Sequence, residues 1–348
     1  MLQREEMNSR VDILVQGWVE QGLLPGAVLD ITLPGGVCFQ KAYGSYSDGT
    51  KRCSIHLDTL FDIASLTKVT ATLPAILLLA AQGSISLDDP VQKYLLAFRH
   101  TQVNVRHLLQ HASGLPAGIP YRSRHEKRPT ILAEIFEKEL IFQPGEEMRY
   151  SDLGMILLGT IVERIAGESL DLFVKRHIFN PLGMRDTVFN PGPELTARVA
   201  ATEAVNDTFI RGEVHDENSF HLGGVSGSAG LFATADDLTR YARWWLSPEK
   251  LTIIPPWLMR EATAHPVRGR GLGWEVIHDP KFVPSCGLSW PAGSYGHTGF
   301  TGTSLWIEPQ RGLSVVFLTN AVHYGRNTKI RELRSILHDT VLSTVGPA

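Results

Sequence analysis

The sequence predicts an α/β (α+β) protein: one antiparallel sheet, flanked by N- and C-terminal helices, that carries a large and mostly helical insertion. Three observations predict it. Residues near 30 alternate apolar runs with a tight turn, residues near 310 repeat that pattern, and apolar positions from about 65 to 179 recur at three- and four-residue spacing. At 348 residues the chain is long enough to enclose a substantial core and a site.

The elements follow in order. Residues 10–22 are amphipathic with helical spacing, and Leu24-Pro25-Gly26 stops them. Residues 27–33 and 37–43 flank Pro34-Gly35-Gly36, which predicts a hairpin. Residues 73–81 form the most apolar run, about half of what a membrane span needs, so they read as a buried helix. Gly83, Gly114 and Gly167 mark helix stops, and residues 190–229 are loop-rich. Residues 302–307 and 313–319 flank Glu308-Pro309-Gln310-Arg311-Gly312 as a second hairpin, before a helical tail over 328–341. This places a sheet domain at 1–64 plus 225–348 and a mostly helical domain at 65–224, with an active site in the cleft between them.

Composition excludes several classes. A net charge of −3, with 43% hydrophobic and 20% charged residues, offers no broad attraction to nucleic acid or anionic lipid. Cys38, Cys53 and Cys286 show neither C-x-x-C spacing nor a Cys/His cluster, so neither a disulfide framework nor structural zinc is expected. The N-terminal residues mix charge among apolar positions, unlike a secretory signal, and the chain reads as cytoplasmic. The sequence leaves oligomeric state open.

The chemistry sits in three segments. Ser65 and Lys68, in Phe61-Asp62-Ile63-Ala64-Ser65-Leu66-Thr67-Lys68, precede the apolar helix, so both side chains share one face at a helix start. There the Ser65 N–H can face an oxyanion, and a lysine screened from water can have its pKa lowered enough to activate the hydroxyl. The pattern S-x-x-K arises about once by chance in a chain this long. Ser247-Pro248-Glu249-Lys250 is such a copy, and without a comparable apolar helix after it, it reads as a solvated helix start. Tyr150, in Tyr150-Ser151-Asp152-Leu153-Gly154, opens another apolar helix, where its hydroxyl can act as acid and base beside a lysine. Tyr295-Gly296-His297-Thr298-Gly299-Phe300 leads into the last hairpin, where glycines admit a substrate backbone and the Phe300 N–H can be a second oxyanion donor.

Together and in this order, Ser65-x-x-Lys68, Tyr150-x-Asp152 and His297-Thr298-Gly299 resemble the S-x-x-K, Y-x-N and K-T-G triplet of class C β-lactamases and related penicillin-recognising enzymes. The segments 106–116, 181–184 and 227–232 also look like recurring family segments, and the likeness runs from about residue 10 to 340. The resemblance implies a β-lactamase/transpeptidase-like fold and a serine hydrolase acting on a small amide or ester. It implies that Ser65 is acylated, that Lys68 and Tyr150 relay its proton, that the N–H groups of Ser65 and Phe300 hold the oxyanion, and that no cofactor or metal is needed.

Two motifs depart from the pattern. Asp152 stands where the family has asparagine and, ionised, cannot donate a hydrogen bond; it can instead pair with Lys68, raising the lysine pKa and shifting the base role to Tyr150. His297 replaces the lysine associated with the substrate carboxylate, so an imidazole titrating near ~6.5 would make an anion subsite weak at neutral pH and stronger in acid. Similar H-T-G segments occur in carboxylesterases, peptidases acting on D-amino-acid peptides and muropeptide amidases, and residues 212–218 look most like the last group. His107 and His111 stand at i and i+4 without a third ligand and read as packing residues, while the absence of G-x-S-x-G argues against an α/β-hydrolase. A non-catalytic ligand-binding protein is the reading from another class. Both departures predict slow or absent hydrolysis of penicillins; steady-state turnover equal to that of a dedicated β-lactamase would contradict this.

Overall fold

The computed structural model of the chain describes residues 2–120, 123–124, 126, 131–279 and 282–345. In chain order its strands are β1 (Gly26–Leu33), β2 (Gly36–Ser47), β3 (Arg52–Ser54), β4 (Phe61–Asp62), β5 (Val188–Phe189), β6 (Ala204–Val205), β7 (Thr208–Phe209), β8 (Leu231–Ala233), β9 (Glu275–Val276), β10 (Tyr295–Thr298), β11 (Ser304–Glu308) and β12 (Leu313–Thr319). Seven of them form one sheet in the order β3-β2-β1-β12-β11-β10-β9. Each pairing in it is antiparallel, with Leu29 opposite Phe317 and Ile31 opposite Val315 where the two ends of the chain meet.

The central strands are covered on both faces, which is why they read as nearly unbroken apolar runs. Leu29, Ile31, Val315 and Phe317 face the helices Leu2–Glu20 and Ile330–Val345, meeting Val11, Val15, Leu337 and Val341. The alternate residues Val28, Val316 and Leu318 face the helix Ala235–Leu246 and join the larger core with Tyr241 and Trp245. Each such side chain taken out of water contributes roughly 2 kcal/mol.

Most of the remaining helices lie between β4 and β8. Leu73–Ala81 has its first seven residues buried and is apolar all round, as a core helix must be. Asp152–Ala166 is capped by the Ser151 hydroxyl and ended by the left-handed Gly167. A small second sheet, β4-β8-β5, ties this region to the chain before and after it.

The helix Leu2–Glu20 begins earlier than the amphipathic pattern indicates, because good helix formers continue it while only Met7 is buried in that first stretch of described side chains. Ser247 closes the helix Ala235–Leu246 and opens the single helical turn Pro248–Lys250, so the second S-x-x-K lies where one helix ends and a short solvated one starts. The 190–229 stretch contains short helices, Pro193–Thr196 and Glu217–His221, around the β6–β7 hairpin. Among the described residues no helix is long and apolar enough to cross a membrane.

His338 is fully buried, with Nε2 3.0 Å from Ser304 Oγ of β11. Burial, helped by the Arg334 charge, pushes its imidazole down to about 3. The unfolded chain protonates this group below ~6.5 while the folded chain does not, so stability falls as pH drops from ~6.5 towards the folded value, by about 1.4 kcal/mol per pH unit. Urea unfolding at pH 7 and pH 5 should therefore show a larger loss in the wild type than in His338→Asn. Equal losses would contradict the buried neutral imidazole.

Candidate active site

The turn that carries Ser65 is clamped before it begins. The Asp62 carboxylate accepts from Ala64 N at 2.8 Å and from His215 N at 2.6 Å, and its carbonyl accepts from Thr301 Oγ1 at 2.7 Å. Thr303 Oγ1 donates to Ile63 O at 3.1 Å. Between these anchors Ala64 adopts φ 47°, a left-handed conformation that costs energy for a residue with a Cβ and concentrates at functional sites. The chain then enters a wide helical turn, Lys68–Thr72, that leads into Leu73–Ala81.

Lys68 Nζ has three donors and three acceptors. It lies 2.9 Å from Ser65 Oγ, 2.7 Å from the Ser228 carbonyl and 2.7 Å from Asp152 Oδ1. The side chain is 0% exposed. Burial works to lower its pKa, but the Asp152 charge, with the hydrogen bonds around the ammonium, outweighs it and leaves the pKa raised. Of the two states the sequence allows for Lys68, this is the one expected from Asp152 at the asparagine position: the carboxylate partner favours the ammonium over an amine made neutral by screening. Asp216, half-buried at the start of Glu217–His221, has its pKa raised by desolvation and then by the Asp152 charge.

Tyr150 sits among rings and cations. Its ring lies 4.5 Å from that of His111 and 5.9 Å from that of His297, while Lys68 Nζ and Arg270 Cζ stand 5.1 and 5.3 Å from its centre. His111 Nδ1 accepts from Ser151 N at 3.1 Å, which fixes the junction where Tyr150 leaves the loop for the helix. Both imidazoles are held well below their ordinary value by burial and then by the charges of Arg270 and Lys68. His297 Nδ1 is 2.8 Å from Thr298 O; a carbonyl only accepts, so Nδ1 carries the proton and the neutral ring keeps a lone pair on Nε2. The expected acid-strengthened anion subsite at His297 is therefore corrected, because this ring does not charge in mild acid.

After β10 the chain reverses tightly, with Gly299 N donating to Thr303 O at 2.7 Å. A Cβ at Gly299 would collide with Thr303 Oγ1 and stand 2.5 Å from the Ile63 carbonyl, so only glycine lets this turn approach the Ser65 segment. Among the described residues, neither the Ser65 N–H nor the Phe300 N–H has a backbone acceptor. A cleft of about 470 Å³ opens here, lined by Ser65, Tyr150, Arg270, His297, Thr298, Gly299 and Phe300, with Lys68 beneath Ser65 and Asp152 beside it. A groove of about 570 Å³ elsewhere contains Ser247 and Lys250, but Lys250 is exposed there and its recorded bond to Ser247 is between backbones. The sequence reading missed Asp62, His111, Ser228 and Arg270. Asp62, His111 and Ser228 lie inside quoted segments, whereas Arg270 lies in none.

A family model described as beta-lactamase matches residues 11–338. The chain belongs to the beta-lactamase family. Family members similar to it include a "Putative D-alanyl-D-alanine carboxypeptidase" of Escherichia coli O157:H7, 31% identical over 88% of this chain and 81% of that protein. An "N-acetylmuramyl-L-alanine amidase" of Bacillus subtilis (strain 168) is also 31% identical, over 90% of this chain and 81% of that one. A class C beta-lactamase structure superimposes with a TM-score of 0.80 at 22% identity, covering 99% of this chain and 97% of the other. "EstCE1, a hydrolase with promiscuous acyltransferase activity" superimposes with a TM-score of 0.77 at 24% identity, covering 96% and 100%. As a beta-lactamase family member the chain is a serine hydrolase, on a fold shared with these structures.

The Lys68–Asp152 pair makes an asymmetric prediction. Removing the carboxylate strands a fully buried ammonium, whereas removing the ammonium leaves a carboxylate that is 30% exposed and can hydrate. Asp152→Ala should cost about 3 kcal/mol in urea unfolding, and Lys68→Met distinctly less. The reverse order would contradict the pairing.

Proposed function

We propose that this beta-lactamase family member cleaves an amide or ester bond through an acyl-enzyme on Ser65. The observation that carries the reading is the three-way contact of Lys68 Nζ with Ser65 Oγ, Asp152 Oδ1 and the Ser228 carbonyl. In this reading Lys68 is a fixed cation that orients the Ser65 hydroxyl. Tyr150 is the group that takes its proton, since the phenolate that must form has Lys68 and Arg270 beside the ring. Ser65 Oγ attacks the substrate carbonyl, the oxyanion accepts from the N–H groups of Ser65 and Phe300, and Tyr150 passes the proton to the leaving amine or alcohol. Water, deprotonated by Tyr150, then releases the acid product.

The substrate we propose is a D-amino-acid or muropeptide-type amide. The carboxypeptidase and amidase names of its relatives support that class. So does the 212–218 segment, whose His215 donates to Asp62 and stacks on Phe300 with ring centres 5.7 Å apart. Asp152 counts against β-lactams, because paired with Lys68 it cannot donate to an acylamino carbonyl. A second reading, a carboxylesterase on small acyl esters, is favoured by the neutral His297 and by Phe300, which is 54% exposed at the cleft. The free thiols of Cys53 and Cys286 fit a reducing, cytoplasmic setting for this reaction.

Labelling with a fluorophosphonate should modify Ser65 in the wild type and leave Ser65→Ala unlabelled. A panel of muramyl peptides, D-amino-acid p-nitroanilides, p-nitrophenyl esters and nitrocefin should show its highest kcat/KM on one of the first two. Unlabelled wild type would support a protein that binds without turnover, and a preference for the p-nitrophenyl esters would support the second reading.

A further inference from the structure

His215 touches both halves of the site. Its backbone N–H donates at 2.6 Å to the carboxylate of Asp62, the residue that anchors the Ser65 turn, and its ring stacks on Phe300 with centres 5.7 Å and planes 21° apart. Phe300 is followed by Thr301, whose Oγ1 donates at 2.7 Å to the Asp62 carbonyl. Asp62, His215, Phe300 and Thr301 thus close a ring of contacts. One N–H assigned to the oxyanion, that of Phe300, belongs to this ring, and the other, that of Ser65, follows Asp62 by three residues.

Further bonds fix the imidazole. Nε2 lies 2.9 Å from Glu203 Oε2, and since a carboxylate only accepts, Nε2 carries the proton. The same carboxylate oxygen accepts from Arg326 Nε at 2.8 Å, Arg326 Nη2 also bonds Glu217, and Arg326 Cζ stands 6.0 Å from the Phe300 ring centre. Glu203 is itself tied down: the carbonyls of Ala201 and Thr202, just before it, bind Asn320 Nδ2 at 2.7 Å and His323 Nδ1 at 3.0 Å beyond the end of β12. His215 is 3% exposed, whereas Phe300 is 54% exposed. A ring that open to water has little packing of its own, so His215 and Arg326 fix its direction.

We propose that His215, locked by Glu203, is a positioning residue for the oxyanion: by joining the Asp62 turn to the Phe300 ring it sets the separation of the Ser65 and Phe300 N–H groups. The role rests on the reading of Ser65 as the nucleophile. Such donors act on charge that develops in the transition state, and their effect depends on being held at hydrogen-bond distance from the oxyanion before it forms. One residue of the 212–218 segment thereby serves nucleophile and oxyanion together, its backbone holding the Asp62 turn and its ring holding Phe300.

Phenylboronic acid reads this role. Ser65 Oγ bonds to boron as the hydroxyl proton passes to Tyr150, and one oxygen of the resulting tetrahedral boronate takes the oxyanion position. Its Ki should rise about tenfold or more in His215→Ala and by a smaller factor in Glu203→Gln, while kcat/KM on the preferred substrate of the panel falls by the matching factor. His215→Phe, which keeps the stack but not the bond to Glu203, should recover part of the loss. Ki, and kcat/KM per site counted with fluorophosphonate, belong to the folded and active molecules, so a variant that merely folds poorly loses sites and leaves both values unchanged. A Ki within about twofold of the wild type in both His215→Ala and Glu203→Gln overturns the positioning role while the Ser65 chemistry stands. A wild type that neither turns over a panel substrate nor binds phenylboronic acid overturns the Ser65 reading and this role with it.

Discussion

The contact between Lys68 and Asp152 is the constraint on which the site depends. An ammonium with no solvent exposure can persist only if its charge is matched and each N–H finds an acceptor. Asp152 supplies the charge, and Ser65 Oγ and the Ser228 carbonyl supply the remaining acceptors. Three separate stretches of chain must therefore arrive together for Lys68 to be buried at all. The serine hydroxyl is oriented as a by-product of satisfying that lysine.

Bringing those stretches together is the task of the fold. Asp62 binds the Ser65 turn to the 215 loop and to the turn after β10, and Thr301 and Thr303 tie the same turn to the sheet. The strain at Ala64 is held in place by these bonds. On the other wall, the buried His111 fixes the approach to the helix Asp152–Ala166 and so sets the position of both Tyr150 and Asp152. The antiparallel sheet closes the arrangement because β1 and β12, from opposite ends of the chain, pair along most of their length.

Much of this was legible in the sequence, for identifiable reasons. The hairpins were readable because Pro34-Gly35-Gly36 and the Pro309 to Gly312 turn punctuate apolar runs, and Leu73–Ala81 because a helix apolar on every side has nowhere to lie but the core. Pairing of Asp152 with Lys68 followed from charge alone. The neutral state of His297 did not, because it results from burial and from Arg270, a residue in no motif, brought in from a distant turn. The same distance in sequence hid His111, whose helical spacing from His107 says nothing about the ring it faces. The early start of Leu2–Glu20 was hidden because helix propensity, not an apolar face, sustains its first turns.

The two departures from the family pattern act in one direction. In the proposed reading Asp152 holds Lys68 as a cation and leaves proton transfer to Tyr150, while His297 removes a cation from β10. The first of these rests on whether Lys68 is charged. Selective ¹⁵N labelling of lysine, with the Lys68 Nζ resonance identified by its loss in Lys68→Met and followed by NMR from pH 6 to pH 11, measures this directly. The account predicts an ammonium signal that persists beyond ~10.4, where an ordinary lysine titrates. A neutral amine at pH 8 would contradict it.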